Sequence, residues 1–165
     1  MDAATVYENI RALSAEFATE RRERQQRNEL VAADFARLRE AGFLLTGAPP
    51  DHGGIWESVG GSTRPICEML RTLAHGDSSV ALVCAMHPAV LNFWMATAQA
   101  PAPFHKAWDD QRRSIFQNVC EGAWWGTIAS EPGTAGDIAK SRATARRGSS
   151  DGCSRARKIS GAGRG

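Results

Sequence analysis

The chain has no pair of cysteines at C-x-x-C spacing and no histidine placed to complete a ligand set. Cys67, Cys84, Cys120 and Cys153 are scattered, as are His52, His75, His87 and His105. That spacing excludes the sequence signatures of a zinc site and of a disulfide framework, so no metal is expected and the thiols read as buried or incidental. No run approaches the ~20 uninterrupted apolar residues of a membrane span. Asp2, Glu8 and Glu16 fall early and no apolar core of a leader follows, which argues against a secretory signal. A cytoplasmic protein without a membrane partner is the expectation, and no internal repeat is visible.

What is present is ordinary in amount and uneven in placement. The 165 residues, 42% hydrophobic and 23% charged, suit roughly one soluble globular domain. Residues 140–165 carry eight basic side chains against Asp151 alone, a net of +7. The other 139 residues hold twelve basic and seventeen acidic groups, a net of −5. The body is mildly acidic and only the tail is basic. A helical interaction module with a nucleic-acid-binding tail is therefore an alternative, although no aromatic residue is interleaved after Trp125 and no nucleic-acid motif appears.

Apolar residues recur at helical spacing through most of the chain. Val6, Ile10, Leu13 and Phe17 form one stripe. From Glu20 to Arg27 the sequence is almost wholly polar and reads as a solvated face or a helix ending. A second helix is expected over about 29–41, on Val31, Phe35 and Leu38, with Gly42 as its stop. The run Gly-Ala-Pro-Pro-Asp-His-Gly-Gly at 47–54 reads as turns, His52 included. A third helix is expected to open at Gly60-Gly61-Ser62 with Pro65 in its first turn and to bury Ile66, Met69, Leu70 and Leu73. Asp77-Ser78-Ser79 caps the next, and capping accounts for these residues better than a nucleophile would.

From Val80 to Ala98 the helix is apolar nearly all round, which places it in the middle of a bundle. Pro88 should kink or split it. His87 stands at that break, the one polar side chain whose position looks chosen, with a hydrogen-bonded core histidine as the plain alternative. A fifth helix over about 104–120 carries Trp108, Ile115, Phe116 and Val119. The grammar then changes at residues 124–137, Trp-Trp-Gly-Thr-Ile-Ala-Ser-Glu-Pro-Gly-Thr-Ala-Gly-Asp. An apolar run meeting Ser-Glu-Pro-Gly reads as a strand followed by a loop, and its small residues leave the backbone open to a flat ligand. Many such turns simply connect elements.

This order of features resembles the acyl-CoA dehydrogenase family of flavoproteins over about residues 5–145. The shared features are some five helices, a Gly-Gly loop after the second, a central helix opened by Gly-Asp-Ser-Ser, and a strand ending Ile128-Ala129-Ser130-Glu131-Pro132-Gly133. The fold implied is mainly α: a helical N-terminal domain over 1–122, the first strand of a middle β-domain over 123–147, and a tail, 148–165, that is disordered or out of frame. The resemblance implies FAD, with FMN as alternative, touched by Thr127, Ala129, Ser130 and Gly136, the Ser130 hydroxyl lying near the flavin's reactive edge. Fixed donors there would stabilise electron density gained on reduction. Ala135-Gly136-Asp137 replaces the family's usual Gly-Ser-Asp, which removes the serine that would contact acyl-CoA.

The Gly-Asp-Ser-Ser helix with Ala-Met-His is similar to the family's monooxygenase branch, in which a histidine at the place of His87 assists a flavin peroxide. His87 is then a catalytic candidate. The implied substrate is an acyl-CoA or a sulfur or aromatic compound, with a separate flavin reductase in the monooxygenase case and a homo-oligomer in the full-length family. Family members continue into more β-domain and a four-helix bundle. The expectation is that this chain is a truncated or frameshifted fragment, inactive alone. GC-rich codons for residues 152–165, read one frame over, can spell Leu-Leu-Ser-Gly-Ala-Lys-Asp-Phe-Gly-Ser-Gly-Ser-Gly, close to the family's next strand.

Overall fold

The computed structural model describes residues 1–97 and 99–126 and, beyond them, Asp137, Lys140, Thr144–Arg146 and Arg155–Arg157. The chain divides into two units, Met1–Gly126 and Thr127–Gly165. In the second, strands β1 (Thr144–Arg146) and β2 (Arg155–Arg157) pair antiparallel, Ala145 opposite Ala156.

The first unit is helical among its described residues, as the periodicity predicts. Helix α1 (Ala3–Thr19) starts where the Asp2 carboxylate accepts the Thr5 N–H at 2.8 Å, a bond that also lowers the Asp2 pKa. Val6, Ile10, Leu13 and Phe17 are all buried, the stripe expected from their spacing. They pack on α4 (Val59–Gly76) through Met69 and Leu73. A Cβ at Gly76 would collide with the Ser14 carbonyl oxygen, so glycine is what permits the two helices to approach so closely here.

Helix α3 (Ala32–Glu40) follows the short α2 (Arg21–Gln26) and ends at Gly42, whose φ of 88° only glycine adopts cheaply. Tight 3-10 turns at Phe43–Gly47 and Pro50–His52 cross to α4. α4 begins earlier than the Gly60-Gly61-Ser62 reading anticipates: Ser58 is its N-cap, accepting the Gly61 N–H at 3.0 Å. Ser62 instead turns back to accept the Glu57 N–H at 2.8 Å, which leaves Pro65 inside the helix rather than in its first turn.

Asp77 caps α5 (Ser78–Cys84) by accepting the Ser79 and Val80 N–H groups, both at 3.0 Å. A break at Ala85, just before Pro88, separates α5 from α6 (Met86–Ala96). The expected central position is not what this rod occupies. Val80, Cys84, His87 and Leu91 are buried, while Leu82, Val83, Met86 and Phe93 on the opposite side are exposed among the described residues. By length and composition Ser78–Ala96 is apolar enough to cross a membrane, with 33% of its most apolar window buried. Helix α7 (His105–Cys120) closes a second core of Leu44, Ala48, Leu91, Ile115, Phe116 and Val119. Trp124 packs on both cores.

Candidate functional site

The break between α5 and α6 brings three segments together around one imidazole. His87 lies in the first turn of α6 and is fully buried. The Phe43–Gly47 turn offers the Leu44 carbonyl oxygen, 3.0 Å from His87 Nε2. Residues 122–126, leaving α7, offer the Trp125 N–H, 3.1 Å from Nδ1. A backbone N–H can only donate, so Nδ1 carries the lone pair and Nε2–H donates to Leu44. The ring is thus neutral with both nitrogens bonded.

Burial drives its pKa down from 6.5 to about 4, the Leu44 bond opposing only in part. A proton added to Nδ1 would also face the Trp125 N–H. Gly47 belongs to the same arrangement, since a Cβ there would lie 2.7 Å from Nε2 and nearer still to Leu91.

Aromatic rings enclose the histidine. The Trp124 ring meets His87 edge-on at 5.4 Å between centroids, stacks on Phe43 at 5.9 Å and meets Phe35 edge-on at 5.3 Å. The Trp125 ring turns the other way, against Trp94 at 5.8 Å. Its indole Nε1–H is buried without a partner, as is Asn92 Oδ1 on α6. Of the residues expected to form a flavin site, the structure therefore positions His87 and the segment leading to the rest. Thr127, Ala129, Ser130 and Gly136 lie outside the described residues.

No family model, curated protein or solved structure matches the chain.

Sequence reading missed a second polar centre. Arg24, inside the charge run expected to be solvated, is buried. Its guanidinium binds both Asp34 oxygens at 2.9 and 2.8 Å, Asp77 at 3.1 Å and Glu20 at 3.0 Å. It also lies over the Phe17 ring, 3.6 Å from the centroid. Burial would lower its pKa, yet the bonds to Asp34 and Asp77 outweigh that and raise it. A fork of five donors matched to three carboxylates makes this a clamp joining α2, α3 and the α4–α5 junction. Four of its five donors are taken, and it offers a ligand little. The charge run contains one further hint, an arginine four residues after Glu20, but nothing local tells Arg24 from its neighbours. Among the described residues no group of three His, Cys, Asp or Glu side chains could hold a metal ion.

Proposed function

We propose that this chain is the N-terminal part of a flavin-dependent oxidoreductase of the acyl-CoA dehydrogenase type, inactive by itself. The observation that carries the reading is the bond from the Trp125 N–H to His87. It ties the apolar α5–α6 rod to the chain two residues before Thr127, where the Thr-Ile-Ala-Ser-Glu-Pro stretch begins. In the proposed enzyme these are two of the parts that meet beside FAD, or FMN as the alternative.

The described residues fit such a cofactor in one respect and not in another. Trp125 Nε1–H is a buried donor lacking an acceptor, next to a stretch whose small residues suit a flat ring. His87 has no free nitrogen. A bound flavin supplies two-electron redox chemistry. The chain's share, in this proposal, is to place the Ser130 hydroxyl and the backbone around Thr127, Ala129 and Gly136 against the ring, and to exclude water with the Trp124 and Trp125 side chains. His87 holds the Trp125 backbone in place. To pass a proton it must first release Leu44 or Trp125, so a monooxygenase role requires that motion, whereas a dehydrogenase role does not. The Gly136 replacement favours a sulfur or aromatic substrate over an acyl-CoA.

The test is the coding DNA past Asp151 read in all three frames, followed by purification of the frame-restored chain. The expected result is a shifted frame carrying Lys-x-Phe-x-Ser-Gly and a helical bundle, and a yellow protein with bound flavin whose Ser130→Ala variant holds it more weakly. If no frame carries that strand, or the restored chain binds neither FAD nor FMN, the reading fails.

A further inference from the structure

The second unit gathers positive charge that the flavin reading leaves unused. Residues 140–165 carry eight basic side chains, six of them arginine, against Asp151 alone. Strands β1 and β2 pair Thr144 with Arg157, Ala145 with Ala156 and Arg146 with Arg155. Successive residues of a strand alternate between its faces, so the register puts Arg146, Arg155 and Arg157 on one face with Thr144, and the two alanines on the other. Cα atoms lie ~5 Å apart across such a pair and ~7 Å apart two residues along a strand. Three permanent positive charges are therefore gathered on one short piece of backbone.

Arg146 opposite Arg155 is an unfavourable pairing, since like charges set directly across a ladder repel. A bound anion relieves it, and the surrounding composition narrows which anion. Arginine presents a planar fork of donors that matches phosphate oxygens two at a time. Residues 126–165 hold no aromatic side chain on which an unpaired base could stack. After Gly136 only Ile138 and Ile159 are large and apolar, too little to anchor the segment in a bilayer or to seat an apolar peptide face. Charge and hydrogen bonding remain, the terms that hold a phosphodiester backbone without reading its bases.

We propose that the β1–β2 hairpin binds the phosphate backbone of duplex nucleic acid through the face bearing Arg146, Arg155 and Arg157, without preference for base sequence. This goes beyond the flavin reading and concerns the 165-residue chain itself. A frame-restored chain would replace residues 152–165, and with them Arg155 and Arg157, so it would test the flavin site while lacking this face. The two proposals therefore stand or fall separately. Three phosphate contacts on a B-form duplex correspond to a log–log salt slope of about −3, to which the neighbouring basic residues add.

Fluorescence anisotropy of a labelled random-sequence DNA duplex, titrated with the full chain between about 50 and 200 mM salt, tests the proposal. A Kd on the order of micromolar is expected at the lower salt, with a slope of about −3 or steeper. Arg146→Ala, Arg155→Ala and Arg157→Ala together should weaken binding by ~100-fold and flatten the slope by about 3. Removing the same charge outside the paired strands, by Arg147→Ala, Lys158→Ala and Arg164→Ala together, should cost under ~10-fold, through the general field alone. Lysine at positions 146, 155 and 157 keeps the charge and should recover most of the affinity. Neither set lies in the helical unit, so far-UV circular dichroism should show unchanged helix content. No salt-dependent binding, equal losses from the two charge-matched alanine sets, or capture by phosphatidylserine vesicles with no binding to the duplex would overturn the proposal, the last by giving the face to lipid headgroups.

Discussion

Acidifying the protein places a charge on the worst-prepared side chain in the helical unit. The unfolded chain binds a proton at the His87 ring near pH 6.5, whereas the folded chain resists until about pH 4. Between those values the unfolded state holds more protons, so stability falls as pH drops through that window and is level above and below it. A gap of that size corresponds to on the order of 3 kcal/mol, enough to matter for a domain stabilised by only ~5–15 kcal/mol. The comparison is His87→Gln, which cannot titrate. At pH 7.5 the variant should be less stable by ~1–3 kcal/mol, because its amide cannot meet Leu44 O and Trp125 N–H with the imidazole's geometry. Urea unfolding followed by circular dichroism at pH 7.5, 6.5, 5.5 and 4.5 gives both profiles. Acid effects from carboxylates are common to the two chains and cancel in the difference. The wild-type advantage should shrink steadily below pH 6.5 and be gone or reversed near pH 4.5. Profiles that stay parallel to within ~0.5 kcal/mol would refute the neutral, doubly bonded histidine.

Three further outcomes follow from the packing. Arg24→Met should cost ~3–5 kcal/mol in thermal or urea unfolding by stranding Asp34 and Asp77, and adding Asp34→Leu should recover part of it. Gly47→Ala should cost ~1–3 kcal/mol, measured the same way, since the methyl meets Leu91 and His87. Cys84, buried with its thiol pushed up to about 12 by desolvation, should resist thiol reagents at pH 8 until the protein is unfolded, while exposed Cys67 reacts at once.

Local rules made the helical part legible. The α1 stripe, the Gly42 stop, the Asp77 cap, a break close to Pro88 and the buried Ile115, Phe116 and Val119 of α7 each depend on residues within a turn or two of one another and follow the pattern, although the break falls at Ala85 and Trp108 stays half-buried. What the sequence concealed depends on distance along the chain. Arg24 looks like its neighbours because its partners lie 10 and 53 residues away. His87 could be singled out at the break, but whether its nitrogens face a ligand or the chain was decided by Leu44 and Trp125, 43 and 38 residues off. The start of α4 was ambiguous because Ser58 and Ser62 can both cap, and the Glu57 N–H claimed Ser62. The apolar rod was misjudged as central since composition sets how apolar a helix is, not which sides are covered.

The bond between Trp125 and His87 bears on how the helical unit opens. Residues past the last helix of a domain ordinarily fray, and their amide hydrogens exchange with solvent in local openings that cost little. Here the acceptor is a fully buried ring, and the neighbouring indole is packed on Phe35, Phe43 and that same ring. The Trp125 amide can exchange only when the core around His87 comes apart. In native-state hydrogen exchange it should belong with the slow amides of α1 and α4, so that the end of this unit and its centre open as one cooperative body.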